Sequence, residues 1–109
     1  MITVLVQTVI AILLPHVHLL RDSLLVAAVE YRDRNSLYRA LAQLDPSEGR
    51  PPKTWKKLAD LKYWERHVSD GASDAGRVYA WLDTNARVFR VLVSNKSEQT
   101  RDIAWLRLS

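Results

Sequence analysis

The chain opens on a continuous apolar, β-branched run from Ile2 to about Ile12, the pattern of a strand covered on both faces, and Pro15 ends it by removing a backbone donor. From His16 to Tyr31 the apolar positions Leu20, Leu24, Ala27, Ala28 and Tyr31 recur at helical spacing and predict a first helix. A strand over Leu24 to Tyr31 competes with it, because a short run rich in Val and Leu reads either way. Asn35 or Ser36 caps a second helix whose buried stripe is Leu37, Ala40, Leu41 and Leu44. Asp45-Pro-Ser-Glu-Gly-Arg-Pro-Pro52 stops that helix, and Lys53, Lys56 and Lys57 mark an exposed basic loop, with room for one helical turn near Trp55 to Leu58.

Beyond that loop the period changes to two. Lys62 to Val68 alternates as a strand, and Ser69 to Gly76 is small, polar and loop-like. Arg77 to Asp83 and Arg87 to Val93 follow as two strands joined through Thr84-Asn85-Ala86, an antiparallel hairpin. Ser97 or Thr100 starts a last helix that carries Ile103, Ala104 and Leu106 inward and turns Arg101 and Asp102 to water. The prediction is one α+β domain over residues 1–109: an N-terminal strand, two helices, a three-stranded antiparallel meander and a short C-terminal helix.

Composition narrows the classes. The 109 residues are 48% hydrophobic, enough for one core and the usual size of one domain. There is no cysteine, so disulfides and thiolate zinc sites are excluded and a reducing, cytoplasmic setting is expected. The opening apolar run is shorter than the roughly 20 residues of a membrane span and lacks the flanks of a secretory leader. Residues 1–49 hold 4 Lys/Arg against 5 Asp/Glu and residues 50–109 hold 12 against 7, so the halves carry −1 and +5. A basic half suits a polyanion or an acidic protein partner; a solvated face kept for solubility is the plain alternative.

The order of elements, together with Lys56-Lys57-Leu58, Leu61-Lys-Tyr-Trp-Glu-Arg-His67, Arg77-Val-Tyr-Ala-Trp-Leu-Asp83 and a final strand from Arg87 to Lys96, resembles the RelE/ParE superfamily of bacterial toxins. The likeness covers roughly residues 36–105. It implies a RelE-like fold, a toxin–antitoxin pair with a cognate antitoxin as partner, and metal-independent endoribonuclease action on mRNA at the ribosome. By the same resemblance Arg77 falls at a phosphate-binding arginine, Arg66 on the preceding basic strand, and Lys96 at the basic end of the last strand.

Such cleavage needs a proton acceptor for the 2′-hydroxyl, a donor for the leaving 5′-oxygen and cations around the phosphorane. Arginine serves the last role through a planar fork that stays charged. His67, with an unperturbed pKa of about 6.5, Glu65 or Lys57 if burial or charge moves its pKa, and Lys96 are the candidate proton carriers. Alternation groups Lys62, Trp64 and Arg66, and places Val78, Ala80 and Leu82 inward with Arg77, Tyr79 and Trp81 on an open side. A face of Arg66, Arg77 and Arg90 beside Trp64, Tyr79 and Trp81, extended by Lys56, Lys57 and Lys62, would grip phosphates and stack bases. Salt bridges of Arg66 and Arg77 to Asp83 or Glu65, and aromatic packing under a loop or helix, are the structural alternatives. The pleat sets His67 on the face opposite Arg66 unless a bulge intervenes.

Two further readings stay open. After Lys96 the chain reads Ser-Glu-Gln-Thr-Arg-Asp, without the tyrosine or histidine many RNase relatives carry, so a ParE-like, non-catalytic module binding a protein is the second. A basic single-strand nucleic-acid binder is the third. His16 and His18 could share a strand face, but with His67 as the remaining imidazole and no cysteine, no complete metal set is expected. Gly49, Gly71 and Gly76 are too scattered for a phosphate loop, and no cofactor is implied.

Overall fold

The computed structural model describes residues 14–20, 31–68, 76–95 and 98–108. Its described elements are β1 (Val17–Leu19), α1 (Tyr31–Ala42), a 3-10 turn (Pro46–Glu48), β2 (Lys56–Lys57), β3 (Trp64–Val68), β4 (Gly76–Asp83), β5 (Val88–Asn95) and α2 (Gln99–Leu108). The strand expected at Ile2 to Ile12, the loop residues 69–75 and Lys96 lie outside the described residues.

The five strands form one mixed sheet in the order β1-β5-β4-β3-β2, so the chain is an α+β protein. The antiparallel meander β3-β4-β5 is its centre, with Glu65 opposite Tyr79, His67 opposite Arg77, Arg77 opposite Ser94 and Trp81 opposite Arg90. Two additions go beyond the expected architecture. Val17–Leu19 is a strand parallel to β5, where the helix predicted from His16 was to begin; Val17 enters the core at 4% exposure, and β1 satisfies backbone groups of β5 that would otherwise face water. The rest of that helix, residues 21–30, lies outside the described residues. Lys56–Lys57, expected in a loop or helical turn, is instead an edge strand antiparallel to β3. Its return is a tight turn in which the Leu61 amide donates to the Leu58 carbonyl and the Leu58 amide to Tyr63.

Both faces of the sheet are covered. On one, the stripe Leu37, Ala40, Leu41 and Leu44 of α1 and its exit packs on Val68, Val78, Ala80, Phe89, Val91 and Val93. On the other, Tyr63, Tyr79, Leu92 and Leu106 form a smaller core under α2, edged by Trp81, Ile103 and Trp105. The side of β4 predicted to be open is therefore the floor of a second core, and Tyr79 is fully buried. Asp102, expected to face water, is buried as well; it lies four residues before Leu106, on the same helical face. No helix among the described residues is long and apolar enough to cross a membrane.

The β4–β5 hairpin closes through four residues rather than three. Arg87 adopts a left-handed backbone, φ 57°, and cannot continue the ladder, so β5 starts at Val88. The Asp83 carboxylate accepts from the Ala86 amide at 3.2 Å, which fixes the turn and, as the first cause, holds this carboxyl below its ordinary value.

Candidate functional site

Register decides which predicted residues meet. Arg66 is opposite Val78 on the α1 face and donates to the Gln43 side chain at the end of that helix. Arg77, one strand over, is opposite His67 and Ser94 on the α2 face and is 4% exposed. The two arginines expected on one open face thus point to opposite sides of the sheet, and one of them is covered. The pleat forces this: Arg66 pairs with a residue one step from Arg77, and one step inverts the face. Trp64 packs partly buried on the α1 core and is likewise separated from Tyr79 and Trp81.

What the α2 face does assemble is a polar patch in two rows. One runs His67, Arg77 and Ser94 across β3, β4 and β5, and the Ser94 hydroxyl donates to buried Asp102 of α2. The other runs Lys56, Glu65 and Tyr79 across β2, β3 and β4. The Glu65 carboxylate lies 3.5 Å from His67 Nε2, with the imidazole side chain 52% exposed and the carboxylate side chain 10%. Gln99 Nε2 donates to the other Glu65 oxygen at 3.1 Å, so the carboxylate is held between the helix and the imidazole. Arg77 is anchored in part by donating to the Gly76 carbonyl at 3.0 Å.

The Tyr79 hydroxyl sits enclosed near Glu65 and Gln99 and completes no hydrogen bond of good geometry among the described residues. Burial, reinforced by the Glu65 carboxylate, pushes its phenol well above the ordinary value of 10.0; burial raises the Tyr63 phenol too. Both rings are neutral partners at physiological pH.

The other predicted residues divide. Lys56 is exposed beside Glu65 and belongs to the patch. Lys57, opposite Trp64, turns its ammonium back on its own hairpin, donating to the carbonyls of Leu58 and Leu61. Lys62 precedes β3 and covers the Trp81 ring at 3.8 Å, a cation–π contact that occupies the stacking surface proposed for Trp81. Arg90 binds Asp83 at 3.2 Å and contacts His18 Nδ1 at 3.1 Å, while His16 lies toward Asp45, so the two N-terminal imidazoles serve different neighbours. Sequence reasoning missed Ser94, Gln99 and Asp102. The signal was available for two of them, since residues 99, 102, 103 and 106 form an i, i+3, i+4, i+7 stripe on α2.

Chemically, the patch offers an exposed imidazole backed by a carboxylate, a buried guanidinium behind it and an ammonium at its open edge. That combination moves protons and favours anions. Comparison with protein-family models, with curated protein sequences and with solved structures finds no match.

Proposed function

We propose that the protein is a metal-independent endoribonuclease of the toxin type, acting on mRNA, and that its chemistry resides on the α2 face of the sheet. The carrying observation is the Glu65–His67 pair, 3.5 Å apart, with Arg77 directly across from the imidazole. The His67 imidazole takes the proton of the 2′-hydroxyl on the ring nitrogen turned away from Glu65, and Glu65, beside Nε2, steadies the imidazolium that results. The 2′-oxygen bonds to phosphorus while the bond to the 5′-oxygen breaks, leaving a 2′,3′-cyclic phosphate. The departing 5′-oxygen takes its proton from the Lys56 ammonium at the open edge. Arg77, nearly covered, adds positive charge behind the imidazole. The ribosomal setting and a cognate antitoxin follow from the RelE/ParE resemblance and belong to the same proposal.

The test is induced expression with growth curves and transcript-end mapping. His67→Ala is expected to lower cleavage at least 100-fold, whereas Arg66→Ala, which alters only the opposite face, leaves cleavage within a few-fold of wild type. The reverse ranking sinks the proposal.

One observation favours a second reading, a non-catalytic module that binds a protein target. Arg77 and Tyr79 are 4% and 0% exposed, as expected of groups that hold α2 on the sheet. Growth arrest without new transcript ends, unchanged by His67→Ala, selects that reading; RNA retention without scission selects a simple nucleic-acid binder.

A further inference from the structure

A cavity of about 510 Å³ lies away from the polar patch, between the end of α1 and the tip of the β4–β5 hairpin, lined by His16, Asp45, Pro46, Ser47, Leu82, Thr84 and Arg87. Leu82 packs against the α1 core, so this cavity belongs to the α1 side of the sheet. Its size falls within the range of small-molecule sites, and its lining has their character: an apolar wall with a few convergent polar groups.

The lining supplies donors from Arg87, His16 and Thr84 and one carboxylate, Asp45. One oxygen of that carboxylate, Oδ1, is committed to Ser47, accepting from its amide at 3.0 Å and from its hydroxyl at 2.8 Å, which leaves Oδ2 open. Arg87, by contrast, makes no ion pair or side-chain hydrogen bond among the described residues, and its five N–H donors are joined by the His16 ring and the Thr84 hydroxyl. Arg87 also stands where glycine is the unstrained residue, at φ 57°. A left-handed backbone is disfavoured for an L-residue, yet an arginine is placed there, in the lining of a cavity.

We propose that this cavity binds a small ligand bearing an oxyanion, carboxylate or phosphate, on a compact apolar body: Arg87 takes the oxyanion through its planar fork, Thr84 and His16 flank it, and Leu82 and Pro46 receive the apolar part. The site is independent of the α2-face chemistry, since its residues come from the other side of the sheet and from the hairpin tip.

The test uses the full-length, 15N-labelled chain titrated with phenyl phosphate, benzoate, inorganic phosphate and neutral benzamide. Phenyl phosphate or benzoate is expected to shift the amides of Ser47, Thr84 and Arg87 saturably, and whichever of the two binds more tightly identifies the oxyanion. Arg87→Ala and Arg87→Gly should each weaken that binding at least tenfold. Arg87→Gly removes the backbone strain, so it should lose binding while melting no lower than wild type, which separates a lost ligand contact from unfolding. The proposal is overturned if neither anion shifts these amides saturably at millimolar concentration, if the shifts persist in both variants, or if benzamide binds equally well. Equal binding of inorganic phosphate and phenyl phosphate overturns the part assigned to Leu82 and Pro46.

Discussion

At the residue scale, the first residue of β4 shows how one hydrogen can decide a strand. Gly76 faces Val68 across β3 and Asn95 across β5, and a Cβ built on it would lie 2.5 Å from Val68 Cγ2 and 3.2 Å from the Val68 carbonyl oxygen. A β-branched side chain has little rotamer freedom with which to retreat, so the strands would have to part. Gly76→Ala should therefore destabilise by about 1–3 kcal/mol through overpacking, although alanine is ordinarily the better strand residue; a chemical-denaturation midpoint measures it, and an unchanged midpoint would show that the strands part freely here. In the sequence this glycine reads only as the end of a polar loop, because its tight contact is with a residue eight positions earlier. Arg87 was equally illegible: nothing in Thr84-Asn85-Ala86-Arg87 marks the arginine, rather than Asn85, as the left-handed residue.

At the element scale, α2 depends on a polar attachment as much as on its apolar one. Leu106 is its buried apolar anchor, and Asp102 is the other fully covered side chain of its buried face. The Asp102 carboxylate accepts from the Ser94 hydroxyl and from Arg101 Nε at 3.4 Å. A buried carboxylate is tolerated only while its donors stay in place, and removing it leaves the Ser94 hydroxyl without that acceptor. Asp102→Ala should cost about 1–3 kcal/mol and loosen α2 in particular, seen as faster amide exchange in residues 99–108 than in β4. Equal acceleration throughout would mean that helix and sheet open as one unit. The meander was legible because period-two alternation is local, and α1 because Leu37, Ala40, Leu41 and Leu44 are spaced for one face. The strand at Val17–Leu19 was not, because its reason lies in β5, more than 70 residues later in the chain.

At the scale of the whole molecule, one sheet carries two cores of different chemistry, and this explains both the failure of the predicted arginine pair and the make-up of the patch. The buried members of the α1 core are aliphatic and aromatic, with the Trp55 indole N–H as their one polar side-chain group, and β3 turns Arg66 to the rim, beside Gln43. The α2 core includes two tyrosines and lies next to Glu65, Arg77, Ser94 and Asp102, all buried. Sequence alternation correctly separated neighbours within each strand, but the face shared across two strands depends on register, which pairs Arg66 with Val78 and which no single strand contains. A tyrosine-bearing core has a pH consequence. The folded-state values of Tyr79 and Tyr63 are raised above the ordinary 10.0, so the unfolded chain releases these protons first. Their contribution to stability is fully present below about pH 10 and is lost as pH climbs from there through the folded-state values. Thermal melts should thus hold steady from neutral pH to about pH 10 and fall above it, with Tyr79→Phe, which has no phenol to ionise, flattening the fall. Spectrophotometric titration should find these two phenols ionising later than a free tyrosine. Ionisation of every tyrosine near pH 10, with the fold intact, would place the α2 face open to water and remove the enclosure on which the second core is argued.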